Sequence, residues 1–330
     1  MPQEVAILGT GIIGISTALA IQENCPKVKV TAITKDLSPN LTSDVAAGLI
    51  KPYYCSDDEE KIISWTKATI SRIQTFMREF PGTGAELMSG YHFSREVEPI
   101  PFWSRVVRNF RVMSSEEIEE VTGKSCYKTG FFYTTWYLEP TAYISYCQKK
   151  FLANGGIIRQ ENIENLDHIG QNFEIIVNCT GLGSRKLFND TTVYPVRGQI
   201  IRVRCPQVKH FFNDDDFYAL LNGDCVILGG TTDVNNWDTT VNEETARRIF
   251  EGNVGVFKSL SKSTILSHHV GLRPARPQVR LEACFETTPS GQKRQVIHNY
   301  GHGGSGITLH WGCALEVAKL VEEIRGKSRL

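Results

Sequence analysis

One stretch near the end of this chain constrains its fold more than any other. Asn299 to Thr308 reads NYGHGGSGIT and runs directly into an apolar-periodic helix. A glycine-dense turn that opens a helix leaves backbone N–H groups bare and presents the positive end of the helix dipole to an electron-rich partner. The other end of the chain repeats the pattern. Val5 to Gly14, VAILGTGIIG, is an apolar strand running into Gly9-x-Gly11-x-x-Gly14. Two such turns at opposite ends of 330 residues predict one elongated cofactor gripped at both ends.

With 41% hydrophobic residues over this length, the chain can bury a sizeable core, and length alone suggests two domains. Basic and acidic residues balance at 36 each, so no charge excess points to nucleic acid or an anionic membrane surface. No apolar run reaches the roughly 18 residues of a membrane span, and the N-terminus enters a strand without the basic start and apolar stretch of a signal peptide. The nine cysteines are scattered and odd in number, with no CxxC or Cys/His cluster, so neither a zinc site nor a disulfide framework is expected. The chain is therefore expected to be intracellular. Its last three residues, Ser328-Arg329-Leu330, are a conservative variant of the Ser-Lys-Leu peroxisomal address, which predicts a peroxisomal import receptor as partner and the cytosol as the alternative location.

Hydrophobic periodicity predicts a βαβ start: a strand near 4–9, a helical stripe through Ile12, Ile13, Ser16 and Leu19, and a strand over 28–34. A long uncharged loop follows at 38–54, then an amphipathic helix near 58–79. Residues 85–135 read as strands with an inserted short helix, whose start has the capping-box spacing of Ser114 and Glu117. A helix near 140–153 and an alternating strand pair precede FEIIVNCTGLGSR (173–185), again an apolar strand ending in a glycine turn. Strands dominate 194–236 and 268–300, with helices near 241–259 and 306–325. The expected fold is α/β, a Rossmann-like dinucleotide-binding domain interleaved with a mainly antiparallel β-sheet domain. The discontinuous first domain comprises 1–51, 141–189 and 291–330; the second comprises 52–140 and 190–290.

Gly9, Gly11 and Gly14 have separate tasks in such a fold: a tight turn, close approach to a pyrophosphate, and helix–strand packing. Lys35-Asp36, at the end of the second strand, supplies the acid expected to accept ribose hydroxyls. The alternative is a glycine turn without a ligand.

Taken together, the motifs resemble the D-amino-acid oxidase and D-aspartate oxidase flavoproteins along nearly the whole chain. The carrying passages are GTGIIGISTAL (9–19), TSDVAAGL (42–49), VNCTGLGSR (177–185), PVRGQI (195–200), VGLRPARPQVRLE (270–282) and NYGHGGSGITLHWGCALEVAKL (299–320). The resemblance implies a non-covalent FAD enzyme that oxidises D-amino acids to imino acids and reduces O2 to hydrogen peroxide, with a homodimer left open. By position, Gly9, Ile12, Ile13, Thr42, Ser43, Gly48, Leu49, Ile163, Cys179, Thr180 and Gly181 would line the FAD, joined by Gly303, Gly304, Gly306, Ile307 and Thr308 at the C-terminal turn. Lys35 preceding Asp36 departs from the family's acid-then-base order at the ribose.

The same resemblance makes Arg273 the clamp on the substrate carboxylate, with Tyr218 as its helper, the Gly304 carbonyl as acceptor from the substrate amine, and Tyr53 nearby. A guanidinium suits a bidentate carboxylate pair. The alternatives are a structural salt bridge for Arg273 and a core aromatic for Tyr218. In a strand without a bulge, alternation puts Arg273 on the opposite face from Arg276 and Arg280. The implied mechanism needs no acid–base side chain, so His298 and His302 are expected to serve packing.

Substrate choice is read from three further places. The arginines of the acidic branch are missing: Thr232 stands in GGTTDV and no arginine occurs in HFFNDDDFY (210–218). The three aspartates Asp214 to Asp216 either repel an acidic substrate or form a solvated tip. Both points favour neutral D-amino acids. Lys51, where the neutral branch carries glutamine, either reaches solvent or replaces the missing arginine opposite a side-chain carboxylate. The rival classes are a nicotinamide-dependent dehydrogenase and a non-catalytic flavin-binding protein.

Overall fold

The computed structural model describes residues 3–53, 55 and 58–327. Ser328, Arg329 and Leu330 lie outside the described residues. The N-terminal unit is β1 (Gln3–Leu8), α1 (Ile12–Asn24) and β2 (Val28–Thr34), followed by α2 (Thr42–Val45) and α3 (Glu59–Glu79). Next come β3 (Ala85–Ser94), β4 (Arg108–Val112), α4 (Ser115–Thr122), β5 (Thr129–Leu138), α5 (Pro140–Ala153), β6 (Ile157–Gln160) and β7 (Phe173–Asn178). Short α6 (Ser184–Leu187) leads to β8 (Tyr194–Arg204), β9 (Phe211–Asn213), β10 (Tyr218–Asn222), β11 (Cys225–Gly229) and β12 (Asp233–Val234). The chain ends in α7 (Glu243–Val256), β13 (Thr264–Thr287), β14 (Lys293–His302) and α8 (Gly306–Lys327).

These strands form one sheet in the order β4-β5-β3-β9-β10-β11-β8-β13-β14-β7-β1-β2-β6, with β12 attached to β8. The β14-β7-β1-β2-β6 end is parallel throughout. The other end is antiparallel except where β9 lies alongside β3. β13 joins the two. Its first half, to Ala275, pairs with β8, and from Arg280 it pairs with β14, with a register break between.

The parallel end is buried on both faces, as βαβ connections require. α1 is covered from Ile12 to Ile21, and α8 packs directly on it. Two buried polar contacts hold α1 in place: Ser16 Oγ with His310 Nδ1 of α8 at 2.9 Å, and Asn299 Nδ2 of β14 donating to Thr17 Oγ1 at 3.1 Å. α3 starts at Asp58, whose carboxylate accepts from the Lys61 N–H, and lays its Ile62, Trp65, Thr69 and Ile73 face against α8. α4 has the expected capping box, and Gly123 closes it in the left-handed region.

Two readings of the sequence differ from the structure. Only β6 stands between α5 and β7; the stretch after it forms a short 3-10 turn at Leu166–His168 under Asn165. The loop at 38–54 contains α2, which Asp44 holds by accepting from Ser38, the Leu41 N–H and Thr141. No helix among the described residues is long and apolar enough to cross a membrane.

Gly14 shows how tight the first turn is. A Cβ there would lie 1.9 Å from the Gly9 carbonyl oxygen. Gly14→Ala is expected to lower stability by about 1–3 kcal/mol, although alanine is the better helix former by about 1 kcal/mol, because the clash is with backbone. Thermal unfolding of the purified variant measures it.

Candidate active site

Two cavities, of about 400 and 410 Å³, meet at Ile12, Ile13, Thr42, Ser43, Pro274 and His302. Together they form an elongated cleft across the carboxyl ends of β1, β2, β7 and β14, where open α/β sheets hold ligands. One cavity is lined by Gly9, Gly11, Lys35, Asp36, Ile163, Cys179, Thr180 and Gly181. The other is lined by Gly48, Leu49, Lys51, Tyr53, Tyr218, Arg273, Gly303, Gly304, Gly306 and Ile307. Gly14 and Thr308 line neither. Gly14 packs α1 on the turn, and the Thr308 hydroxyl donates to the Lys51 carbonyl at 3.1 Å.

Gly9, at φ +94°, bends the chain so tightly that a Cβ would meet the Cys179 carbonyl at 2.7 Å. Gly11 caps α1 without a side chain, and Ser43 Oγ accepts from the Ile12 N–H at 3.1 Å. The C-terminal turn uses Gly301 and Gly303 at positive φ and enters α8 through a 3-10 turn. Ser305 fastens it by bonding both the N–H and the carbonyl of Tyr53 at 2.7 Å, which lays the Tyr53 ring over Gly304.

Arg273 is held without an ion pair among the described residues. Its Nη1 donates to the carbonyls of Thr231 at 3.1 Å and Arg197 at 3.5 Å, and it bonds the Tyr218 hydroxyl. Its neighbours on β13 behave otherwise: Arg276 pairs with Asp190 at 2.8 Å and Arg280 with Glu282 at 2.7 Å. β13 thus carries one unneutralised guanidinium and two structural ones, although the register break between Ala275 and Arg280 interrupts the simple alternation on which the opposite-face expectation rests. Space for it comes from residues the sequence did not single out individually. A Cβ on Gly198 would sit 2.4 Å from the Arg273 guanidinium, and one on Gly229 would sit 2.0 Å from the Tyr218 ring. Asn213 and Thr231 are further lining residues that sequence reasoning missed; neither carries a local motif, since long-range strand pairing brings them in.

Burial pushes Tyr218 up, so its hydroxyl stays a donor. His302 and His310 are pushed down to about 3, and His298 to about 4, chiefly by burial. His302 touches both cavities, and its Nε2 has no partner among the described residues. Elsewhere, ligand atoms of Cys284, Glu286 and His298 fall within 4.8 Å of one another, although the sequence showed no metal cluster. Glu286 is already engaged there by His298 at 3.1 Å and Arg280 at 3.6 Å.

The buried histidines give a pH signature. Unfolded, they protonate below about pH 6.5; folded, they resist protonation until about 3–4. The unfolded chain binds more protons in that window, so their contribution is complete above about pH 6.5 and lost as the pH falls. The melting temperature is expected to drop between about pH 7 and 5, and His302→Asn is expected to flatten that slope.

Residues 4–320 match the family of FAD-dependent oxidoreductases. The chain is 39% identical over 333 residues to the D-amino acid oxidase of Dugesia ryukyuensis, covering 99% of each chain. It is 36% identical over 326 residues to the human D-aspartate oxidase, covering 97% of this chain and 94% of that one. Among solved structures, the glycine oxidase of Geobacillus kaustophilus shares the fold with a TM-score of 0.80 at 17% identity, over 97% of this chain and 95% of the other. The cleft fits a dinucleotide: glycine turns that no side chain could replace lie at both ends, and the unpartnered His302 Nε2 lies where the two cavities join. With a match that runs from β1 into α8, this chain belongs to the FAD-dependent oxidoreductases, and its cofactor is FAD.

Proposed function

We propose that this chain catalyses the oxidative deamination of D-amino acids: a D-amino acid, O2 and water yield a 2-oxo acid, ammonia and hydrogen peroxide. The observation that carries the reading is Arg273, a cation with no counter-ion among the described residues, bonded to the Tyr218 hydroxyl in the cavity where the C-terminal glycine turn opens. The relatives named D-amino acid oxidase and D-aspartate oxidase support the same chemistry.

The turn at Gly9 and Gly11, with the N-terminus of α1, would hold the FAD pyrophosphate, and Lys35-Asp36 the ribose end. Thr42, Ser43, Gly48, Leu49, Ile163 and Cys179 to Gly181 would flank it, and Gly303 to Ile307 would face the flavin with the positive end of α8. FAD, when bound, supplies the two-electron acceptor for the Cα–H bond and passes those electrons to O2. Arg273 and Tyr218 bind the substrate carboxylate, and the Gly304 carbonyl accepts from its amine. Two fixed points leave one enantiomer with its Cα–H turned towards the cofactor. Catalysis by this chain is then alignment and electrostatics, and no side chain serves as base. The low values of His302 and His298 agree with that.

All five strands of the β14-β7-β1-β2-β6 end come from residues 1–51, 141–189 and 291–330, which supports assigning FAD to that discontinuous domain and the substrate to 52–140 and 190–290. Ser328-Arg329-Leu330 supports import into the peroxisome through its receptor, where peroxide is removed.

Purified yellow protein is expected to release peroxide from at least one of D-alanine, D-aspartate and D-glutamate, and not from L-alanine. Oxidation of the L-form, or no release from any of the three D-substrates with FAD bound, would sink the reading. Arg273→Leu is expected to lower kcat/KM by about 10²–10³-fold, the cost of losing a buried charge partner. Gly198→Ala is expected to lower kcat/KM as well while FAD stays bound, since the atom it displaces is the movable end of Arg273.

A further inference from the structure

Lys51 is left without a task by this reaction. Its side chain lines the same cavity as Arg273 and Tyr218. Nζ lies 4.9 Å from the centroid of the Trp103 ring and 3.4 Å from Asn213 Oδ1. No carboxylate among the described residues pairs with it. Burial pushes the ammonium down to about 8, and the charge of Glu98 opposes it.

Glu98 acts through intermediaries whose polarity can be worked out. An ammonium has donors only, so Asn213 must turn Oδ1 towards it. Its Nδ2 then donates to His92 Nδ1 at 2.6 Å, which requires a lone pair on that nitrogen. The imidazole proton is therefore on Nε2, which donates to Glu98 Oε2 at 2.8 Å. Donation runs one way, Lys51 to Asn213 to His92 to Glu98, and a protonated His92 would break it. Consistently, burial and the charge of Lys51 hold His92 below its ordinary value. Asn213 uses one of three N–H bonds on Lys51. Among the described residues, no second acceptor lies within reach.

Asp214, Asp215 and Asp216 of the neighbouring hairpin line the same cavity, but none of them pairs with Lys51, and each is already held by other donors. Asp214 accepts from the N–H groups of Asp216 and Phe217 and from the Tyr127 hydroxyl. Asp215 accepts from Ser94 and the Arg95 N–H, and Asp216 pairs with the Arg95 guanidinium at 2.7 Å. Two cations, Arg273 and Lys51, thus line one cavity without a carboxylate of their own among the described residues.

We propose that Lys51 is the specificity-determining cation of the pocket: it receives the distal carboxylate of a D-dicarboxylic amino acid whose α-carboxylate is held by Arg273 and Tyr218, with Asn213 as its positioning residue. The proposal rests on the D-amino-acid reading above and turns its substrate class from neutral to acidic. A carboxylate beside the ammonium restores the charged form that burial disfavours, so binding and protonation reinforce each other. The Trp103 face alone stabilises an ammonium weakly by comparison.

The test has a binding arm and a turnover arm on the holoenzyme. Succinate, glutarate and butyrate carry no amine, and their affinities are read from perturbation of the bound FAD absorbance. Wild type is expected to bind at least one dicarboxylate about tenfold or more tighter than butyrate. Lys51→Met is expected to erase that preference and Lys51→Arg to retain it. Asn213→Leu is expected to weaken succinate more than butyrate, whereas a merely structural role would weaken both alike. In turnover, the kcat/KM ratios of D-glutamate to D-glutamine and D-aspartate to D-asparagine are compared. The larger ratio is expected to fall roughly 30-fold or more in Lys51→Met, with FAD content as the check on folding. Wild-type preference for the amide of both pairs, or ratios unmoved by Lys51→Met in a variant that retains FAD, would overturn the proposal. If no D-amino acid is oxidised, the oxidase reading falls, and the dicarboxylate arm still decides the role of Lys51.

Discussion

Everything at this site depends on α1 lying against α8. Each helix begins at a glycine turn, and each turn is useful to a long ligand only if the other is held at a fixed distance. That distance is set by a buried interface with one polar pin, Ser16 to His310, and by a second that ties Thr17 of α1 to Asn299 on β14, the strand leading into the turn before α8. Buried polar pairs of this kind add modest net stability, yet leaving one partner unmet is costly, so they select one register. α3 then clamps α8 from outside. Its approach is so close that a Cβ on Gly312 would lie 2.3 Å from the Trp65 backbone.

The second constraint is the change of partner along β13. A single strand of 24 residues pairs with β8 in its first half and with β14 in its second. Arg273 stands just before the break, opposite Val196, where the antiparallel layer gives way to the parallel one. The antiparallel and parallel layers therefore share a backbone rather than a hinge. Around this point the structure separates its arginines by partner. Arg276, Arg280 and the buried Arg197 are spent on carboxylates or loop carbonyls that hold the framework, and Arg273 is kept for the cavity.

Much of this was legible in the sequence because its signals are local. Gly9 and Gly303 announce turns because only glycine accepts their backbone angles comfortably, and Ser114 and Glu117 announce a helix start. What was not legible depends on pairing across long stretches of chain. Gly198 and Gly229 look like ordinary strand glycines until the side chains of Arg273 and Tyr218 are seen in their place. Whether Asp214 to Asp216 repel an anion or form a solvated tip could not be read from the sequence because their donors, Tyr127, Ser94 and Arg95, come from distant stretches of chain. The partners of Lys51 were hidden for the same reason.

The position of β14 has a consequence for how the molecule comes to be folded. It is the last strand made, yet it sits inside the sheet, between β13 and β7, and α8 that follows covers α1. During synthesis the open edge of β7 and one face of α1 therefore wait uncovered until nearly all of this sequence has emerged. Contacts of such large sequence separation form slowly and leave adhesive surfaces exposed meanwhile. The nascent protein thus needs shielding for most of its translation, and a cut that removes β14 and α8 forfeits the centre of the molecule rather than its margin.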